Sequence, residues 1–430
     1  MLGCLLIFCL GASINAEGGF RDGGLVQSLD SNKLHLFKES VPQISTRRDI
    51  SRISRMRNDH LHEVVFVIHQ KNMEELTEFL HDVSDPSSMN YGKHMRREEV
   101  ASLTRNQEAR DAVVSFLHTN GASLVSETLG SEYITASAPV ILWERLLDCK
   151  FYMYRQMDGK RVVNTLVRAE SYSIPAILGQ HVDSVFNTIQ MPYRQSASEI
   201  VYPRYVEQSM EKMNLESNGK YISPSALKSY YDLGTIAGSN SSTQAIYASY
   251  EQNFSPADLL KFQSTSGTTK QSIKTVIGDH SSSSVCTTTP ELCVTANLHV
   301  QYLLAISPDS PTTFWYTDND GFSSWLVKVA NTKDPPLVLT ISYYIEEPYV
   351  SGSELDAFNI QAIKLGAMGV TIVVPSGDDG AISGLVRVND TSKCSYSPSF
   401  PASSQYVTAV GATSVSPKNT NFETDCTSSM

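Results

Sequence analysis

The segment Ser376-Gly-Asp378-Asp-Gly380 sets carboxyl groups between two glycines, directly after the apolar run 369–375. Glycine on either side lets the backbone turn tightly and carry a carboxyl into a cleft. A protonated carboxylic acid held there can donate a hydrogen bond to negative charge developing on a reacting oxygen, which suits chemistry at low pH. Taken alone, S-G-D is equally a turn cap or a calcium ligand. A second pair, Thr295 and His299, stands four residues apart in the helical pattern 295–306. Positions four apart share a helix face. Two carboxylates at that spacing can share one proton and abstract another in acid, because carboxyl pKa values lie near about 4. A threonine hydroxyl cannot accept that proton, and an ordinary imidazole is charged in acid. His299 could act as a base near neutrality, but the favoured reading is simply a polar residue of that helix.

The stretch Thr295-Ala-Asn-Leu-His299-Val-Gln-Tyr resembles the E-A-N-L-D-V-Q-Y helix of the sedolisins, the serine-carboxyl peptidases, in their tripeptidyl-peptidase-I-like branch. There the Glu is the general base and the Asp orients it, so the resemblance places Thr295 and His299 at catalytic positions with both carboxylates replaced. It matches Ser376–Gly380 to S-G-D-S-G, which implies that Asp378 holds the oxyanion-stabilising position, with Asp379 in place of Ser. Phe400-Pro-Ala-Ser-Ser-Gln-Tyr-Val-Thr-Ala-Val-Gly-Ala-Thr extends the match. Ser342-Tyr343-Tyr344 stands where the family has S-Y-G. The resemblance thus puts Ser342, Tyr343, Ser376 and Gly377 on the substrate, and gives Tyr344 a side chain able to narrow the cleft. The family's nucleophile lies in S-G-T-S-x-S-x-P, downstream of the oxyanion Asp, and its calcium ligands lie with it; neither falls within these 430 residues. Ser266-Gly-Thr-Thr has the wrong order, and Gly411-Ala-Thr-Ser414 corresponds to a structural strand. Two readings stay open: a fragment of a longer active acid peptidase, or a degenerate relative that binds peptides or an active homologue. No cofactor is expected, and no metal ligand is assigned.

The elements that must position these residues fall into two groups. In the first, 63–69 (EVVFVIH) reads as a buried strand, 73–83 and 106–120 as helices, 122–127 and 133–136 as strands, and 139–147 as a helix. That order suggests an antiparallel α/β sandwich. Ser84-Asp-Pro-Ser-Ser-Met-Asn-Tyr-Gly-Lys is close to the S-D-P-S-S-P-x-Y-G-K signature of the sedolisin activation prodomain, and Tyr172-Ser-Ile-Pro with His181-Val-Asp resembles its end. In the second group, helices (295–306, 323–330, 354–365) alternate with apolar strands (313–316, 337–343, 369–375), which means a parallel sheet covered on both faces. Ligands gather at the carboxyl ends of such strands. Ile222-Ser-Pro-Ser-Ala-Leu and Tyr250-Glu-Gln-Asn-Phe-Ser-Pro resemble the opening of the family's mature domain. The expected fold is α/β: a subtilisin-like parallel sheet with helices on both faces, incomplete at its carboxyl end, after a ferredoxin-like α+β prodomain. The expected divisions are a signal peptide (1–16), a poorly ordered polar segment (17–60), the prodomain (61–195), a linker (196–219) and a peptidase-like domain (220–430).

The net charge of −11 argues against nucleic acid and anionic membranes as partners; the resemblance implies peptide or protein ligands and the chain's own prodomain as partners. Residues 1–16 (MLGCLLIFCLGASINA) read as a cleaved signal, and no later segment reads as a membrane helix, so a secreted or lysosomal destination is expected. In an oxidising compartment Cys286 and Cys293 can close a short loop, Cys394 and Cys426 can pair, and Cys149 is left as a buried thiol. Asn240, Asn253 and Asn389 begin glycosylation tripeptides.

Overall fold

The computed structural model describes residues 34–41, 49–158, 161–192, 223–318, 321–381 and 396–411. The expected signal segment 1–16, the expected linker 196–219, Asn389, Cys394 and Cys426 lie outside them.

The amino-terminal unit runs β1 (His35–Ser40), β2 (Ile50–Arg55), β3 (Leu61–Ile68), α1 (Met73–Ser84), α2 (Arg97–Thr104), α3 (Gln107–Thr119), β4 (Ser123–Glu127), β5 (Tyr133–Pro139) and α4 (Val140–Leu146). It continues through β6 (Phe151–Asp158), β7 (Arg161–Ala169), β8 (Ser171–Pro175) and β9 (Val182–Phe186). Its main sheet has the order β4-β5-β3-β9, all antiparallel. Taking β3, β4, β5 and β9 as strands one to four, that is the 4-1-3-2 order of a ferredoxin-like βαββαβ unit. Alternation along β3 sends Val64, Phe66 and Ile68 into a core with Val113 and Leu117 of α3 and Trp143 of α4, while Val67 faces the other way. The described residues of the expected polar segment, 34–41 and 49–60, carry two strands: β1 pairs with β8 and β2 with β6. Their own sequences (HLFKES, ISRISR) carry little apolar alternation, and their ladders are supplied by strands far along the chain.

The carboxyl unit comprises α5 (Pro224–Tyr230), β10 (Gln244–Ala248), α6 (Pro256–Ser266), β11 (Thr275–Ile277), α7 (Ser283–Thr288), α8 (Val294–Ile306), β12 (Thr312–Tyr316) and α9 (Gly321–Ala330). Then come β13 (Val338–Thr340), β14 (Ile345–Glu346), α10 (Gly352–Ala367), β15 (Thr371–Pro375), β16 (Ser399–Phe400) and β17 (Thr408–Val410). Six strands form a wholly parallel sheet ordered β11-β12-β10-β13-β15-β17. Ile246, Ala248, Phe314 and Tyr316 pack beneath α6 and α8 on one face. Ala245, Tyr247, Trp315, Leu339, Ile372 and Val374 pack under α9 and α10 on the other. Both faces of the central strands β10 and β12 are therefore covered, as their unbroken apolar runs require, whereas the edge strands β11 and β17 stay largely exposed. The expected strand 337–343 shortens to Val338–Thr340, because Tyr343 leaves the ladder to set its ring against Tyr247 and Tyr250.

The two units meet on α10. Ala357 packs with Val67, Tyr133 and Phe186, and Ile363 and Ala367 pack with Leu76 and Val100. Met95 N donates to Ala367 O (2.9 Å), and the Arg97 guanidinium donates to Asn331 O (2.9 Å). At the centre of this seam Lys364 Nζ lies 3.5 Å from Glu132 Oε1 and donates to Gln70 Oε1 at 2.9 Å. Both charged side chains are buried, 4% and 7% exposed. Burial pulls the Lys364 pKa down, opposed by the charge of Glu132 and its hydrogen bond.

Candidate active site

The sequence-derived site residues all lie in the carboxyl unit. β15 delivers Ser376, Gly377 and Asp378 to its carboxyl end, where Ser376 N donates to Val410 O of β17 at 3.0 Å. Asp378 is exposed. Gly377 has φ +97°, and a Cβ there would collide with Ser399 Oγ and lie 3.6 Å from Tyr344 Cε2. Glycine is thus required twice over, by conformation and by space. We expect Gly377→Ala to cost about 1–3 kcal/mol and to raise hydrogen exchange across 376–380; an unchanged denaturation midpoint would contradict this geometry.

The loop after the neighbouring strand β13 carries Ser342, Tyr343 and Tyr344. The Tyr343 ring, placed on the substrate by the resemblance, is packed inside this structure. It packs edge-on to Tyr247 (5.3 Å between centroids), and burial holds its hydroxyl pKa well above the usual range. Tyr344 donates its hydroxyl to Asp379 Oδ2 at 3.0 Å. Each residue was visible as a departure from the family motif, but their partnership was not.

Thr295 and His299 do share a face of α8, both half-buried, beside the residues Ala296 and Val300 that face the sheet. The start of α8 is pinned by three contacts. Cys286 and Cys293 form a disulfide, Asn297 Oδ1 accepts from Ser255 N (2.8 Å) and Gln252 Oε1 accepts from Ala296 N (3.3 Å). Burial lowers the His299 pKa to about 4. The expectation of a charged imidazole in acid is thereby corrected, since His299 stays neutral down to about pH 4. α8 lies over β10 and β12, whereas Asp378 follows β15, two strands from β10. The structure thus gathers Ser342, Ser376, Gly377 and Asp378 on adjacent strand ends and sets Thr295 and His299 on a separate helix.

Other residues singled out in the sequence have local settings. Cys149 is a buried thiol, its pKa pushed up to about 12 by burial. Asn240 is exposed. Asn253 is only 8% exposed, and its amide donates to Glu251 O at 2.8 Å, so this fold leaves no room for a glycan there. Among the described residues, no three His, Cys, Asp or Glu side chains converge as a metal set, and no helix is long and apolar enough to cross a membrane.

Residues 48–191 match the family described as Pro-kumamolisin, activation domain. The chain is 28% identical over 398 residues to physarolisin of Physarum polycephalum, covering 89% of this chain and 65% of that protein. It is 29% identical over 366 residues to tripeptidyl-peptidase 1 of Homo sapiens, covering 82% of this chain and 61% of that one. The chain thus spans less than two thirds of the length of these relatives. A solved structure of Pseudomonas sedolisin, a serine-carboxyl proteinase complexed with pseudo-iodotyrostatin, aligns at 22% identity and a TM-score of 0.33, over 44% of this chain and 53% of that one.

Proposed function

Because this chain belongs to the sedolisin family of serine-carboxyl peptidases and carries its activation prodomain, we propose that it is a peptide-binding member that does not hydrolyse peptides by the family's acid–base mechanism. One observation carries the reading: the helix face that should present two carboxylates presents Thr295 and a half-buried His299. A pair that shares and relays a proton fails as a unit when its members are removed, and the remaining oxyanion donor at Asp378 does not replace it. Chain beyond Met430 would leave both substitutions in place. The disulfide Cys286–Cys293 fits an oxidising compartment, which supports a secreted or lysosomal destination. Peptides are the favoured ligands because the chain is similar to tripeptidyl-peptidase 1, matches the family's activation domain and exposes Asp378 at the carboxyl end of β15.

The test is fluorescence anisotropy of the full chain with a fluorescein-labelled dodecapeptide bearing a free amino terminus, at acidic and neutral pH. Saturable binding with an intact peptide afterwards is the expected result. No saturable binding at either pH would overturn the reading, as would cleavage of the bound peptide.

A further inference from the structure

We infer that Tyr344 and Asp379 form a latch that closes the crevice between the ends of β13 and β15, and that this latch limits which peptides enter. The inference rests on the peptide-binding reading above only for the identity of what is kept out. Its physical basis is the geometry around Gly377.

Tyr344 is held by the chain that follows it. Immediately after it, β14 pairs with β16, Ile345 opposite Phe400 and Glu346 opposite Ser399. Ser397 Oγ donates to Glu346 Oε2 at 2.7 Å, and Glu347 N donates to Pro398 O at 2.9 Å. Ser397 N in turn donates to Ala381 O (3.0 Å), tying this short ladder to the end of the 376–381 loop. The Tyr344 ring therefore has a fixed root and reaches across to the loop after β15, where its hydroxyl meets Asp379 Oδ2 at 3.0 Å. Its Cε2 lies 3.6 Å from the point where a Cβ on Gly377 would stand. That is ordinary van der Waals contact, so the ring lies beside Gly377, the first of the two residues of the loop that have no side chain of their own. In a parallel sheet the space above neighbouring strand ends is where a ligand settles. Here a phenol ring occupies it.

The hydrogen bond matters because the acceptor is a carboxylate, and such bonds are among the stronger ones proteins make. With the bond made, the crevice over Gly377 is filled; a ligand backbone can lie there only after the ring swings away. A binding-competent fraction of about one tenth would weaken apparent affinity about tenfold. Tyr344 is thus a specificity-determining residue: it excludes any ligand that cannot displace its ring.

Two measurements on the full chain test this, using Tyr344→Phe, which keeps the ring and loses the hydroxyl, and Tyr344→Gly, which removes both. The first is hydrogen exchange of the 376–381 amides. Faster exchange in Tyr344→Phe than in wild type, at an unchanged global denaturation midpoint, is the expected outcome; equal exchange overturns the latch. The second is anisotropy with the same labelled dodecapeptide. Binding about tenfold tighter in Tyr344→Gly is expected, with Tyr344→Phe between it and wild type. Equal or weaker binding in Tyr344→Gly overturns the limiting role. If neither protein binds peptide, the peptide reading falls, and the exchange measurement alone decides the latch.

Discussion

Replacing Glu132 with Ala will destabilise the docked two-unit fold by about 3–5 kcal/mol, the cost of stranding one member of a buried ion pair. Lys364 sits on α10 with its side chain only 4% exposed, and Glu132 is its charged partner across the seam. The remaining partner, Gln70 Oε1 at 2.9 Å, is neutral and cannot balance an ammonium out of water. Glu132 is itself oriented by Thr128, whose hydroxyl donates to Oε2 at 2.9 Å, so the pair is a built arrangement. The loss should appear in urea unfolding and as increased exchange in α1 and α10, which meet at this seam. Adding Lys364→Met should recover most of it, because removing both charges and filling the space with an apolar chain is often neutral or better. A Glu132→Ala protein with wild-type stability would show that water reaches Lys364 and that the seam is not closed.

Acid will weaken the amino-terminal unit, and His62 will account for a large part of the effect. His62 is 9% exposed, its Nε2 donates to Asn187 O at 2.8 Å, and its ring meets Phe151 edge-on. Burial lowers its pKa to about 4, with the positive charges of Arg168 and His60 adding to the shift and the bond to Asn187 opposing it. Above the unfolded value near about 6.5 both states are neutral, and the contribution to folding is at its full value. As pH falls from there toward about 4, the unfolded chain takes up a proton that the folded state refuses, and stability declines by up to about 3 kcal/mol. Below the folded pKa the decline stops. His62→Gln keeps an N–H donor for Asn187 O and removes the titration, so its stability should depend less steeply on pH across that window. Urea midpoints at neutral and acidic pH measure this; parallel curves for the two proteins would refute it. His299, lowered for the same reason, adds a slope of the same sign in the carboxyl unit.

Much of this architecture could be read from residues. The run EVVFVIH announces β3 because a strand buried on both faces needs no polar alternation, and α1, α3 and α8 follow from apolar residues at helical spacing. The sedolisin-like motifs pointed to an activation prodomain, and the family match over residues 48–191 agrees with them. Three things were hidden for physical reasons. β1 and β2 have no apolar signature because their stability comes from pairing with β8 and β6, remote in sequence. A lysine on an amphipathic helix reads as solvent-facing by default, and only the fold brings Gln70 and Glu132 to Lys364. Tyr344 and Asp379 each looked like an isolated replacement, because a side-chain bond between two loops leaves no local pattern.

The most direct test of the account is turnover by the acid-treated full chain, wild type beside His299→Ala, on peptides with free amino termini from about pH 4 to about pH 7. The account predicts that both proteins match the enzyme-free blank at every pH, because Thr295 and His299 provide no carboxylate pair. Turnover in wild type that rises through a pKa of about 4 and disappears in His299→Ala would contradict it, and would make the neutral imidazole the base.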